Sequence, residues 1–414
     1  MKLDRKRLYP WLAILHAKFM GSSRAMKLQE HFGSIEKALN ASISAIEHIP
    51  GFSREIGASI QDAAKGKYDR EIDREMAWAE KHGIAMILHS DPEYPPPLRH
   101  IPASPALLFV KGNIRIQDIL SVAIVGSRTA SDSGRRLTNK IAGDLADAGL
   151  TIISGLAWGI DASAHKGALR CKQGRTIAVM GNGLKFVYPK EHASLADQIV
   201  KRGALVTELF YDVSPQGRNF PPRNRIISGL SLGVLIAEAP RRSGSLITAD
   251  YALEQGKEIF ALPGNVEQCV SPGTNHLIKN SRATLVTSAE DILKELEDKI
   301  TFYRNELDGK IPQIDLGPQR KDEPDAEPAQ SSENVIEIST IKKEEPPKTE
   351  TSQPPLSEDE EEVFKIITEE TQHIDIICRN LEWPVARVSS VLGLLELKGI
   401  IERDAGMRFR LADQ

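Results

Sequence analysis

Between residues 118 and 298, short unbroken apolar runs alternate with helix-length amphipathic stretches, and this alternation narrows the fold more than any other feature. The runs are Val122–Val125, Thr151–Ile153, Thr176–Met180, Ala204–Thr207, Val234–Ala237, Glu258–Ala261 and Thr284–Val286. An unbroken apolar run suits a strand covered on both faces, and a helix between two such runs suits a parallel crossover. The alternation predicts an α/β fold with a right-handed, doubly wound parallel sheet. Sheets of this kind take ligands outside the carboxyl ends of their strands. The loops after the runs are therefore the first place to look for function.

Those loops are rich in anion-binding groups. Gly126, Ser127 and Arg128 follow the first run, and a helical pattern begins near Arg135. Strand, donor-rich turn and helix N-terminus together favour an anion. The dinucleotide pattern Gly-x-Gly-x-x-Gly fails here, and the Walker pattern is absent from the chain. The second run is followed by Ser154-Gly155-Leu156-Ala157-Trp158-Gly159-Ile160-Asp161. The third is followed by Gly181-Asn182-Gly183 and then Tyr188-Pro189-Lys190, and the fourth ends on Glu208. Ser243-Gly244-Ser245 follows the fifth run and opens another helix. A wound sheet gathers all of these loops on one edge.

The stretch Gly217–Ser228 is the second informative piece. Arg218, Arg223, Arg225, Asn219 and Asn224 surround Phe220, and Pro221-Pro222 stiffens the backbone. Arginine forks match phosphate oxygens, and an aromatic ring stacks on a base or sugar. Cations at a helix N-terminus are unfavourable without a nearby anion, so this stretch reads as a phosphate-recognition element.

At 414 residues the chain has room for more than one domain. Its net charge of −4 selects no partner, but residues 1–70 hold twelve Lys/Arg against seven Asp/Glu. They read as a small helical domain, with Leu12, Leu15, Phe19, Met26 and Leu28 on apolar faces. Ile49-Pro50-Gly51-Phe52-Ser53 reads as an interhelical turn, the alternative being a helix-hairpin-helix module that meets a DNA phosphate. In residues 84–112, Ile84–Leu88 and Leu107–Val110 read as short strands. The proline-rich segment between them is expected to be extended and packed on the main sheet, the alternative being a proline ligand for another protein. Residues 305–357, rich in Pro, Glu, Lys and Ser, read as a disordered linker. Residues 358–414 read as helix-turn-helix plus a β-hairpin around Asp404-Ala405-Gly406, a winged helix. Its acidic entry, Glu358 to Glu362, suits protein contact or regulation better than duplex binding. Cys171, Cys269 and Cys378 make no metal or disulfide spacing. With neither a signal peptide nor a membrane span in the sequence, a cytoplasmic setting is expected.

Catalysis finds little support. No His/Asp/Glu cluster suggests a metal, and there is no Gly-x-Ser-x-Gly elbow. His165 reads as a core histidine. Glu208, Glu238 and Asp250 remain as acids for the rival reading, a Rossmann-like hydrolase of nucleoside monophosphates at the N-glycosidic bond. Asp161 and Glu208 read better as partners of nearby donors. No catalytic residue and no cofactor are assigned.

Taken in order, these motifs resemble the DNA-processing protein A (DprA, also Smf) family. The resemblance runs from Gly126-Ser127-Arg128 through Ser154–Asp161, Phe220–Ser231 and Ser243–Ala249. It continues through Leu262-Pro263-Gly264-Asn265 to Gly273-Thr274-Asn275, so it covers about residues 85–295. Asn182, Lys185, Gln216 and the Asn280–Ala283 stretch depart from the family pattern. The resemblance implies an extended Rossmann domain over 84–298 that binds single-stranded DNA, homodimers formed through it, and loading of RecA during natural transformation. Arg128 and Lys190 match the family's main DNA-contacting cations. Arg223, Asn224 and Arg225 match its phosphate loop, and Ser243, Gly244 and Ser245 a neighbouring phosphate turn. With Gly126, Ser127, Gly155, Gly183 and Phe220, these residues make up the expected nucleic-acid site.

Overall fold

The structure, a computed structural model, describes residues 3–266 and 268–306 and, with gaps, residues 358–411. The chain divides into two compact units, Met1–Pro324 and Asp325–Gln414.

The first unit opens with helices α1 (Arg5–His16), α2 (Ser22–Phe32), α3 (Ile35–Leu39), α4 (Ile43–Glu47), α5 (Arg54–Ala64) and α6 (Asp69–Lys81). Asp4, Ser34, Ser42 and Ser53 cap α1, α3, α4 and α5 by accepting from first-turn amides. The Pro50-Gly51 turn is local: Phe52 N–H donates to Ile49 O at 3.0 Å, and Gly51 takes φ +90. Leu12 and Leu28 are buried as expected. Phe19, expected on the same apolar face, lies beyond the end of α1 with its ring 60% exposed.

Nine strands form one sheet: β1 (Ile84–Leu88), β2 (Leu107–Gly112), β3 (Ser121–Val125), β4 (Thr151–Ser154), β5 (Thr176–Val179), β6 (Ala204–Thr207), β7 (Gly233–Ile236), β8 (Glu258–Ala261) and β9 (Thr284–Leu285). Their spatial order is β1-β2-β6-β5-β4-β3-β7-β8-β9. The seven runs read from the sequence are β3 to β9, all parallel. β1 and β2 extend this sheet as antiparallel strands, with Val110 opposite Val206. From β3 the chain winds outward through β4, β5 and β6, then returns to place β7 on the other side of β3. That reversal sets the topological switch point between β3 and β7.

Helices α8 (Asp132–Asp147), α9 (Ile160–Arg170), α14 (Ala289–Glu295) and α15 (Glu297–Glu306) share one apolar cluster with Val122 and Ile124. On the other face, α11 (Phe220–Gly229), α12 (Gly244–Glu254) and α13 (Pro272–Lys279) pack on Ala123 and Val125. The segment between β1 and β2 also lies on this second face, with Tyr94 and Leu98 fully buried. It is not extended throughout: Pro96–Arg99 forms the short helix α7, because prolines fit a first helical turn, where an amide is not needed. A third cluster joins α1 to α6 with β1, β2 and α10 (Ala193–Arg202), so the helical and sheet parts share one continuous interior.

Glu75 sits at that junction, 1% exposed, accepting from the Tyr211 amide at 2.9 Å. Burial is the main cause that pushes its carboxyl up to about 8. The raised value means the folded protein holds this proton more tightly than the unfolded chain. The resulting stabilisation is present in full below the ordinary value of 4.5 and is lost as pH rises toward 8. Glu75→Gln is therefore expected to flatten the fall in melting temperature between about pH 5 and 8. Thermal unfolding of both proteins across that range checks it, and parallel curves would refute it.

In the second unit, the described elements are α16 (Glu358–Phe364), β10 (Gln372–His373), α17 (Ile374–Leu381), β11 (Ile401–Asp404) and β12 (Arg408–Leu411). β12 lies between β10 and β11, antiparallel to both. Val388, Val391, Leu392 and Leu395 join Val363, Ile377 and Phe409 in the core. This is the winged helix read from the sequence, with β11 running through Asp404, β12 starting at Arg408, and the expected turn at 405–406 outside the described residues. The linker reading is corrected at its start, because Asn305 and Glu306 end helix α15; from residue 307 on it falls outside the described residues, as does most of the expected helix Val385–Leu397.

Candidate nucleic-acid interface

A cleft of about 310 Å³ opens at the carboxyl edge of the sheet. Its walls come from the ends of five strands and the segments that follow them: Val125, Gly126 and Arg128 at β3, Ala157 and Asp161 after β4, and Tyr188 after β5. Pro215, Gly217, Phe220, Pro221, Arg223 and Asn224 follow β6, and Gly244, Ser245, Ile247 and Thr248 follow β7. A small adjoining crevice shares Arg128, Tyr188 and Phe220 and adds Gly155, Trp158 and Pro189.

The charged and aromatic groups of the cleft are concentrated around Phe220. The Arg128 guanidinium lies 5.5 Å from the ring centroid, and that of Arg223 lies 5.8 Å away. Tyr188 tilts against the same ring with centroids 5.6 Å apart. Arg128 is exposed, and none of the ion pairs among the described residues includes it. Its backbone is fixed from below by Gly159, whose φ is +73 and whose missing Cβ would lie 2.3 Å from Ser127 O. Any side chain there would push the Arg128 loop out of place. Glu238 holds the other flank of this loop, accepting from Ser131 N at 2.9 Å and from the Ser131 hydroxyl.

The start of α12 also lines the cleft. Ser243 caps it, accepting from Ser245 N at 3.3 Å and bonding Ser245 Oγ at 2.7 Å. Gly244 is exposed with open space around it, so an anion can approach its amide closely, while the Ser245 and Leu246 amides donate to Ser243. α11 differs, because Pro221 and Pro222 remove two amide donors from its first turn. On that side the polar groups facing the cleft are side chains. Asn224 there accepts from Arg223 Nε at 3.2 Å and donates to Gly244 O at 3.3 Å.

Several expected residues have other tasks. Arg223 lines the cleft but is 6% exposed, and its Nη1 donates to Gly155 O at 3.0 Å and to Val179 O. Burial pushes its guanidinium down to about 10, with Asp161 opposing that shift. Arg225 points elsewhere, donating through both terminal nitrogens to Glu208 at 2.7 Å and through Nε to Ala103 O at 2.9 Å. The sequence argument that these cations require an external anion is thus corrected: carbonyls and Glu208 supply the compensation internally. Gly183 serves packing, since a Cβ there would lie 2.1 Å from Phe210 O and its amide already donates to Val213 O. Ser127 is buried, its amide given to Glu238 O at 2.7 Å. Lys190 is exposed and follows the crevice residue Pro189, but does not itself line the cleft. Gly126, Arg128, Phe220, Arg223, Asn224, Gly244 and Ser245 are brought together, with Gly155 in the crevice beside them.

The acids kept for a hydrolase do not converge. Glu208 pairs with Arg225, Asp250 with Arg282 at 2.6 Å, and Glu238 holds the Ser131 turn. Asp161 does reach the cleft, but its carboxylate accepts from the Gly155 and Ala157 amides, which orders that loop. Burial is the leading cause that raises its pKa. His165 is fully buried on α9, bonded to Thr176 Oγ1 at 2.6 Å, and burial pushes it down to about 3. Among the described residues, no group of His, Cys, Asp and Glu could hold a metal, and no helix is long and apolar enough to cross a membrane. Tyr188 and Trp158 are the groups sequence reading did not weigh for the site. Both are more than 40% exposed, and an aromatic within a strand-end loop is the signal that could have marked them.

Residues 85–297 match the family model of DNA recombination-mediator protein A. The chain belongs to that family. A second model, the DprA winged helix domain, matches residues 346–407. Protein Smf of Synechocystis is 34% identical over 97% of this chain and 98% of its own length. DNA processing protein DprA of Streptococcus pneumoniae is 45% identical over 49% of this chain and 71% of its own length. The solved structure of the Streptococcus pneumoniae protein superposes with a TM-score of 0.62 at 34% identity, covering 71% of this chain and 99% of that one. The family match spans β1 to α14, the part of the fold that carries the cleft.

Proposed function

We propose that this protein binds single-stranded DNA in the cleft, without catalysing its breakdown, and presents it to RecA as a homodimer during recombination and transformation. The observation that carries the reading is the grouping of the exposed Arg128 with Phe220, Tyr188 and the open amino end of α12 in one cleft. Arg128 and the Gly244 amide would hold phosphate oxygens, while Phe220 and Tyr188 would offer faces to unstacked bases. Asn224 would add a polar contact, and Arg223, with Gly126 and Gly155, would shape the wall behind it. Lys190 would meet the strand outside the cleft. Every base has an aromatic face, so the preference expected is for single strands and not for sequence. The cytoplasm, where RecA works, is the setting this reading requires.

Fluorescence anisotropy with full-length protein, comparing single-stranded and duplex oligonucleotides over a salt series, tests it. The expected result is tighter binding of the single strand, with log affinity falling linearly in log salt by about 0.7 per phosphate contacted. Equal affinity for the duplex, or a slope near zero, overturns the reading. Incubation with nucleoside monophosphates checks the non-catalytic part, because release of free base would restore the hydrolase reading.

A further inference from the structure

A second groove, of about 760 Å³, lies between the amino-terminal helices and the sheet part of the first unit. Leu15 and Phe19 to Arg24 form one wall. The other is formed by Pro102, Ala103, Glu208 to Phe210, Val213, Pro222, Arg225 and Tyr251. Two features of the first wall stand out. Phe19 takes φ +61, a left-handed conformation that a side chain of this size rarely adopts, and its ring is 60% exposed. The guanidinium of Arg24 donates back to Phe19 O, which holds this turn in place with the ring outward. Strain of this kind persists only where the surroundings enforce it, and it concentrates at functional positions.

The groove continues the cleft along two elements. Pro221 lines the cleft, and the next residue, Pro222, lines the groove. On α12, Ile247 lines the cleft, and Tyr251, one turn later on the same helix face, lines the groove. Its charge also suits a polyanion. Arg24 is exposed at its edge, and Lys18 adjoins Phe19 in the chain. The single carboxylate in its walls, Glu208, is neutralised by Arg225 and receives a further hydrogen bond from Ser22 Oγ at 3.0 Å.

We propose that this groove is a second nucleotide subsite for the same DNA strand. The strand leaves the cleft over Pro221 and Pro222, and a base stacks on Phe19, with Arg24 and Lys18 at the phosphates. The inference rests on the single-strand reading of the cleft and assigns the amino-terminal helices a share of the bound strand.

The test titrates wild type, Phe19→Ala, Phe19→Trp and Arg128→Ala with thymidine oligonucleotides from about 4 to about 20 nucleotides long. Phe19→Ala is expected to match wild type on the shortest strands and to bind the longest about five-fold or more weakly. Phe19→Trp, which keeps an aromatic face, is expected to bind the longest strands as wild type does. Arg128→Ala is expected to be weak at every length. Strands carrying 5-iodouracil at successive positions should cross-link to the Phe19 peptide only when they are long. If Phe19→Ala overlays wild type at every length while Arg128→Ala is weakened, the groove is no subsite and the cleft reading stands. If wild type binds none of these strands, the cleft reading fails and the subsite falls with it.

Discussion

Arg128→Ala is expected to weaken single-stranded DNA binding by about 10- to 150-fold while leaving the fold intact. Hydrogen bonds to charged groups are worth about 1.5–3 kcal/mol, which is the origin of that range. Arg128 is exposed and outside the ion pairs of the described residues, so its removal leaves no buried charge without a partner. Removing a phosphate contact should also flatten the log–log salt slope by about 0.7. Phe220→Leu separates charge from stacking. It should cost about 1–3 kcal/mol of affinity, as lost base stacking does, with the slope unchanged. Anisotropy over a salt series reads both quantities, and an Arg128→Ala protein with wild-type affinity and slope would remove the cleft from consideration. Arg223→Ala is a poor probe by comparison. Its guanidinium is bonded to Gly155 O and Val179 O inside the fold, so its loss would act on structure before binding.

Arg175→Ala is expected to lower stability by about 3–5 kcal/mol, because it leaves a buried carboxylate uncompensated. Arg175 and Asp118 are 7% and 4% exposed and are joined by two hydrogen bonds of 2.8 and 2.7 Å. The same carboxylate also accepts from Thr151 Oγ1 and Arg115 N, both at 2.7 Å. Arg175 in turn donates to Arg202 O at 3.0 Å and Asn113 O at 2.9 Å. The cluster fastens the starts of β4 and β5 to the end of α10, at the edge of the sheet opposite the cleft. Each kcal/mol shifts melting by about 2–4 °C in a domain of this size, so a fall on the order of 10 °C is expected. Affinity for single-stranded DNA, measured well below the melting point, should stay at the wild-type value. A melting temperature within about 2 °C of wild type would show that the cluster carries little of the stability.

The two arginine predictions also show where sequence reading stops. Arg128 stood out because it follows a glycine and a serine at the end of an apolar run, and that local pattern survives folding. Arg223 and Arg225 stood out for their clustering around Phe220 at a helix start, but their partners lie far away in the chain. The carbonyls of Gly155 and Val179 and the carboxylate of Glu208 reach them only through the winding of the sheet. Phe19 shows the converse, since its place in the periodic pattern marked it as core. The helix ends before it, and the turn held by Arg24 sets its ring outward.

Hydrophobic periodicity and strand-end chemistry, both properties of neighbouring residues, therefore determined the wound sheet, its β3-to-β9 core and the edge on which the strand-end loops gather. The tertiary structure alone decided which of several chemically equivalent cations faces that edge. Whether a guanidinium lies open or is matched by carbonyls depends on what the fold packs against it, and those partners come from residues distant in sequence.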